Sequence, residues 1–231
     1  MCRRHDTSWV QGKSQMVNPS VDKDLIKQAV YDNFSISSNH RIYVDDEGMV
    51  HLDGHVWDTK RHFQGKLPVR FHTVKGNFHL ESEALESLSG CPINVMGNFS
   101  CINCELTSLK EGPKHVYGFY SAAHNHLTDL AGAPQTVTRM MTVTDNPLTS
   151  LEGLSPGIKQ LKLSYNSKLP LLRLLELPEG FQILDPDADD DFYEESSWQK
   201  ILEPFMDEGR KGAIKAAAEL IRAGYKENAR W

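Results

Sequence analysis

No stretch of this 231-residue chain approaches the roughly 18 apolar residues that a membrane span requires. Residues 1–16 carry Arg3, Arg4, His5, Asp6 and Lys13 without an apolar core. The start therefore does not read as a secretory leader, and Met16 is an alternative start. Cysteine is scarce: four residues, Cys2, Cys91, Cys101 and Cys104, with none after them. Positive charge is not in excess; the formal net charge of −6 argues against nucleic acid or an anionic membrane as partner. There is no G-x-x-x-x-G-K-[ST] loop, no H-E-x-x-H, and no Ser or Cys in a nucleophile elbow. With 39% apolar and 24% charged residues the composition is that of an ordinary globular protein. The expectation is a soluble protein of a reducing compartment, with no metal, cofactor, small-molecule substrate or membrane to bind.

What the chain does have is a period. From Val74 to Leu163 a unit of 21 residues recurs: Val74, Val95, Val116, Val137 and Ile158 mark its start. Four or so residues later come paired apolar positions, Phe78 with Leu80, Phe99 with Cys101, Tyr120 with Ala122, Met141 with Val143 and Leu161 with Leu163. Each pair is two apart and suits a short strand with one buried face. An Asn follows (Asn125, Asn146, Asn166), then leucines such as Leu127 and Leu130, then a Gly and a Pro. A buried Asn in a column can donate its amide to the carbonyls of adjacent turns. One unit cannot bury its apolar side alone, so the stack itself must be the core. After Ile158 the phase shortens by one residue. Gly76, Gly97 and Gly118 share one register and mark a conformation or close approach that a side chain would obstruct.

These units resemble leucine-rich repeats, with "NHLTDLAGAP" and "NPLTSLEGLSP" similar to the short bacterial and viral kind. The resemblance covers residues 50–184. It implies an α/β repeat fold: a small leucine-rich-repeat solenoid, parallel strands on the concave face, a mostly irregular convex side, and helical caps at both ends. Cys101-x-x-Cys104 has the spacing of a zinc or redox pair. In repeat register, however, Cys101 falls on an inward position and Cys104 in the Asn column, where such repeats commonly place Cys. The tail "RKGAIKAAAELIRAGYKENARW" resembles tails of leucine-rich-repeat proteins encoded by tailed bacteriophages. Secreted bacterial ubiquitin ligases have similar repeats, but their catalytic Cys lies in a C-terminal domain, and no Cys follows Cys104 here.

The remaining segments divide the chain. Residues 1–20 are expected to be a mobile tail. Residues 21–73 hold a helix, a hairpin and a divergent first repeat. The helix, residues 21–34, is capped by Asn18 or Ser20 with a stripe of Leu25, Ile26, Val30 and Phe34. The hairpin turns at Gly48. Residues 74–184 are the solenoid and 185–195 an acidic linker. The linker's D-x-D-x-D start lacks the Gly and Glu of a calcium loop. Residues 196–231 form two helices, the first bent near Pro204. The second carries a stripe of Ile214, Ala217, Ala218 and Ile221 and stops at Gly224.

Large side chains among small ones on the strand face single out Phe119, Met140 and Tyr165 as a hot spot. His124, Asp145, Ile102, Lys162 and Arg139 complete the candidate partner-binding set. Five strands at ~4.8 Å spacing and ~17 Å length give ~400 Å², half of the ~800 Å² per partner of a standard interface. Repeat flanks and terminal helices must therefore contribute. The expected function is a non-enzymatic protein-binding module of a bacteriophage. Its partner would be a host or phage protein, such as a defence component, met in the host cytoplasm. The alternatives are a minor structural or decoration component of the virion, and an enzyme using the His124/Asp145 pair.

Overall fold

The computed structural model describes residues 21–58, 63, 65–184 and 197–231; the N-terminal tail and the acidic linker lie outside them. The chain winds as a β-solenoid of about six turns, nearly all its strands parallel, with few helices. Each turn contributes to two ladders. The first stacks Leu52, Val74, Val95, Val116, Val137 and Ile158 in register. The second stacks Val56, Phe78, Phe99, Tyr120, Met141, Leu161 and Phe181. The repeat arithmetic foresaw the second ladder, and Tyr120, Met141 and Leu161 do stand side by side on parallel rungs. It missed that the valines form strands of their own. As a result most rungs of the second ladder are only two or three residues long, far short of the 17 Å expected.

A corner separates the two ladders, and its chemistry explains the glycines. At each corner a polar side chain lies over the next turn and accepts its backbone N–H. His55 Nδ1 accepts from Asn77 at 2.9 Å, Asn77 Oδ1 from Asn98 at 2.9 Å and Asn98 Oδ1 from Phe119 at 2.9 Å. There is room for this because the residue beneath is glycine. A Cβ on Gly97 would meet Asn77 Oδ1 at 2.4 Å and the Gly76 carbonyl at 2.7 Å, and one on Gly118 would meet Asn98 Oδ1 at 2.2 Å. One turn on, Arg139 replaces the glycine and Phe119 replaces the accepting side chain of the turn before, and the corner is gone. Thr136–Val143 runs as one eight-residue strand, paired with Gly157–Ser164. The one-residue shortening of the repeat appears there as a register shift between Val137 and Met140.

The core fills the space between the ladders and the returning chain. Phe78, Phe99 and Tyr120 stack ring on ring, centroids 6.0 and 5.2 Å apart. Leu85, Leu88 and their equivalents close the third side, all buried. Each such side chain contributes about 1.5–3 kcal/mol. Among the described residues 81–170 there is no helix, as ten-residue returns require. Each return ends in a four-residue turn: Cys91, Gly112, Ala133 and Leu154 donate to Leu88, Leu109, Leu130 and Leu151. The third residue has positive φ, the type II pattern, and is Gly90, Gly132 or Gly153, but in one turn Glu111 at φ 64°.

Helix α1 (Lys23–Asn33) and the hairpin of Arg41–Val44 with Met49–Asp53 precede the coil. The N-cap is Asp22, which accepts the Leu25 N–H at 3.0 Å; Asn18 and Ser20 lie outside the described residues. Val30 and Phe34 are buried with Ile26 partly buried in the same row, four apart, whereas Leu25 is turned 100° from it and is 67% exposed. Phe34 packs against Phe63, Phe71 and Phe78.

At the other end, the last strand, Phe181–Leu184, has its Ile183 N–H covered by Gln199 Oε1 of α2 (Ser197–Leu202). The helix loosens to 3-10 geometry at Glu203–Lys211, where Pro204 sits. The stripe expected on α3 (Ala213–Arg222) is corrected by one residue. Ala213, Ala216 and Leu220 face inward, while Ile214 (80%) and Ile221 (52%) are exposed. Small side chains let this helix approach the 3-10 segments Leu171–Glu176 and Glu203–Lys211. It stops at Gly224 (φ 93°), as expected. No described helix is long and apolar enough to cross a membrane.

Two substitutions of opposite sign test this account. Gly97→Ala forces the corner apart and should cost about 1–3 kcal/mol. Glu111→Gly should stabilise by about 1 kcal/mol, because the turn already requires a left-handed residue. Denaturant midpoints of the two variants against the parent check both.

Candidate functional site

The corner after the second ladder is built from amides and left-handed backbone. Asn125 Nδ2 donates to the carbonyls of Cys101 (2.8 Å), Ala123 and Ala122, and its Oδ1 accepts from Leu106 N–H. Asn146 repeats the pattern one turn on with Ala122, Thr144, Val143 and Leu127. Asn166 does not: its Oδ1 accepts from Lys168 N–H, two residues on. The inter-turn place is taken by Asn228 from the C-terminal segment, whose Nδ2 donates to the carbonyls of Asn166 and Leu169. Cys104 stands in the Asn column one turn before Asn125, its sulfur 3.5 Å from the Ile102 carbonyl, and Cys101 Sγ lies 3.5 Å from the Ser121 carbonyl. Both thiols pack as weak donors, and no cluster of three or more metal-ligating side chains occurs among the described residues.

Just before Cys104, Asn125 and Asn146 the backbone is left-handed: Asn103, His124 and Asp145 have φ of 52–54°. Asn, Asp and His tolerate that region better than other side chains, which accounts for the residue types. His124 and Asp145 are neighbours as expected, Nε2 to Oδ2 3.4 Å, both about half exposed. His126 and Glu105 pair beside them at 2.8 Å, and His79 lies 3.9 Å from Glu81. A shallow groove of about 570 Å³ runs past these pairs. Cys104 borders it, but burial pushes its thiol up to about 11, so it is neutral and a poor nucleophile. Exposed pairs of this kind are worth 0–1 kcal/mol at most.

The strand face holds the other candidates. Phe119 is 43% exposed, with the Arg139 guanidinium 5.2 Å from its ring centroid. Met140, on the next rung, is half-buried, as are Ile102 and Lys162, the last in register with Thr142 and Gln182. Tyr165 is not grouped with Phe119 and Met140. Its ring stacks on Trp198 at 3.6 Å, Tyr225 meets it edge-on, and its hydroxyl donates to Asn228 Oδ1 at 3.0 Å. It holds the C-terminal segment against the coil and is half-buried there.

The sequence reading passed over Met96 (44% exposed) and Tyr117 (55%). They follow Val95 and Val116, so period-two alternation turns them outward on adjacent rungs. Treating the valines as markers instead of as a strand hid that signal. Tyr117 and Phe119 flank the Gly118 corner, so the exposed apolar side chains extend across both ladders.

Comparison of the chain with protein-family models, with curated proteins and with solved structures finds no match.

Two outcomes follow from this geometry. Burial holds Cys91 and Cys101 well above the ordinary thiol range, as it does Cys104. Their share of stability is therefore complete below the ordinary thiol pKa and is lost as pH rises through the folded values. At pH 8 peptides bearing these three residues should escape iodoacetamide in the native protein and react in denaturant, as mass spectrometry would read. Asn228→Ala removes donors to two carbonyls and should cost about 1–3 kcal/mol. Amide hydrogen exchange should rise in residues 197–231 and stay unchanged in 74–143.

Proposed function

We propose that the chain is a non-enzymatic protein-binding module: a leucine-rich-repeat type of coil with helical caps at its two ends. The observation that carries this reading is the patch of exposed large side chains, Met96, Tyr117 and Phe119, on either side of the Gly118 corner. Arg139 stacks on Phe119, and an Arg beside aromatics is the composition of an interface hot spot. Binding groups on a fixed scaffold lose little freedom on association, which favours affinity. The patch crosses a corner, so a partner covers parts of both ladders instead of the single narrow face allowed for by the strand count. The terminal helices offer further apolar contacts at Leu25, Ile214 and Ile221.

Ile102, Met140 and Lys162 belong to the same strand face, and His124 and Asp145 to its polar border. Tyr165 is assigned to the intramolecular contact and not to the partner. The resemblance to phage-encoded repeat proteins favours a partner among host or phage proteins, met in the infected cell or on the virion.

Tyr117→Ser combined with Phe119→Ser is the test. Affinity capture from infected host cells, read by mass spectrometry, should lose a specific protein by about tenfold or more. The melting temperature should stay within a few degrees, since both rings are exposed. Capture of the same proteins at the same level by the double variant would reject the patch.

A further inference from the structure

The corner ladder leaves behind a row of hydrogen-bond donors that the fold does not use. A backbone N–H can only donate, so the side-chain atom facing it must be an acceptor. His55 Nδ1, Asn77 Oδ1 and Asn98 Oδ1 each face such an N–H, on three successive turns. The opposite end of each side chain is therefore fixed as a donor: Nε2–H of the neutral His55 ring and the Nδ2 amides of Asn77 and Asn98. None of these three donors has a hydrogen-bond partner among the described residues. They are held in place by the corner and cannot turn away without breaking it. Beside the Asn77 and Asn98 amides runs a trough of about 350 Å³ lined by these two with Trp57, Phe78, His79 and Ser100, and His55 stands at its Trp57 end. Trp57 is 37% exposed at its first turn, its ring 5.6 Å from that of His55.

We infer that this trough binds a linear neutral oligosaccharide lying along the solenoid axis, one sugar unit per turn, with Trp57 under the sugar at one end. The donors repeat at the rung spacing of about 4.8 Å. A pyranose unit is about as long as one rung and carries acceptor oxygens on every unit, so a linear glycan stays in step over all three turns. An extended peptide does not: its same-side carbonyls recur every two residues, about 6.6 Å, and fall out of register after one step. A nucleic acid or other polyanion would call for cations, and among the described residues lining the trough none is Lys or Arg. Among the described lining residues none is Asp or Glu either, so they present donors, neutral polar groups and an aromatic ring, the composition that suits an uncharged polyol with apolar C–H faces. The site is separate from the patch at Tyr117 and Phe119, and the inference does not depend on that reading.

The corner supplies the variant. Asn77→Asp with Asn98→Asp keeps both side-chain oxygens that accept the backbone N–H groups, and turns the two outward donors into charged acceptors. The probes are cellotetraose, chitotetraose, maltotetraose and mannotetraose, titrated into the full chain and followed by saturation-transfer NMR and tryptophan fluorescence. At least one tetrasaccharide should bind saturably. The double variant, melting as the parent does, should bind it about tenfold more weakly or worse, and Trp57→Ala should remove the fluorescence response. Binding of none of the four overturns the inference, as does equal binding by the double variant. So does preferential binding of a neutral Ser/Thr heptapeptide at these residues. Capture of a protein partner through Tyr117 and Phe119 should be unaffected by Asn77→Asp with Asn98→Asp, so the two readings fail separately.

Discussion

Each turn of this coil hydrogen-bonds through its backbone to the turns on either side, and that contact constrains everything else. Phe78 N–H donates to the Asn98 carbonyl and Phe99 N–H to the Phe119 carbonyl, while Met96 and Tyr117 donate back to Val74 and Val95. The backbone can pair this way only if successive turns superpose, so insertions are confined to places where a bulge absorbs them. Superposition also brings corner backbones close enough that a side chain would collide, and Gly76, Gly97 and Gly118 occupy those points. The same closeness lets His55, Asn77, Asn98, Asn125 and Asn146 bridge turns with single side chains. Polar groups that would be orphaned at a bend are thereby satisfied in columns.

Where that chemistry stops, the shape of the coil changes. Arg139 stands where Gly76, Gly97 and Gly118 stand in earlier turns, and the bend between the ladders straightens into one long strand. The solenoid is thus two regions in sequence. An angular N-terminal part carries the corner side chains of His55, Asn77 and Asn98. A straighter C-terminal part has Arg139 on Phe119 at its boundary. The distribution of outward residues follows from this division, since columns fixed by the corner are not free to vary and those beside it are.

The ends are treated differently from the middle. At the last turn the role of the buried amide passes from Asn166 to Asn228, more than sixty residues along the chain, and Tyr165, Trp198 and Tyr225 pack the joint. Gln199 covers an edge N–H that would otherwise template another strand. At the first turn Phe34, Phe63 and Phe71 extend the aromatic stack beyond Phe78. These contacts are one-off arrangements, and a period cannot announce them.

The sequence by itself determined the period, the inward columns, the bridging role of Asn125 and Asn146, the buried place of Cys101 and Cys104, and the adjacency of His124 and Asp145. All of these are consequences of residues recurring at fixed spacing, because stacking turns equal separation along the chain into neighbourhood in space. Tertiary structure alone decided that the valines make a second ladder, which turns Met96 and Tyr117 outward. It also decided that α3 packs through Ala213, Ala216 and Leu220, and that Tyr165 is covered by Trp198. Which of two helix faces turns inward depends on how closely a neighbour can approach, and a contact between Tyr165 and Asn228 joins a repeat to a segment outside it. Neither leaves a mark in local spacing, so neither could be read before the chain was folded.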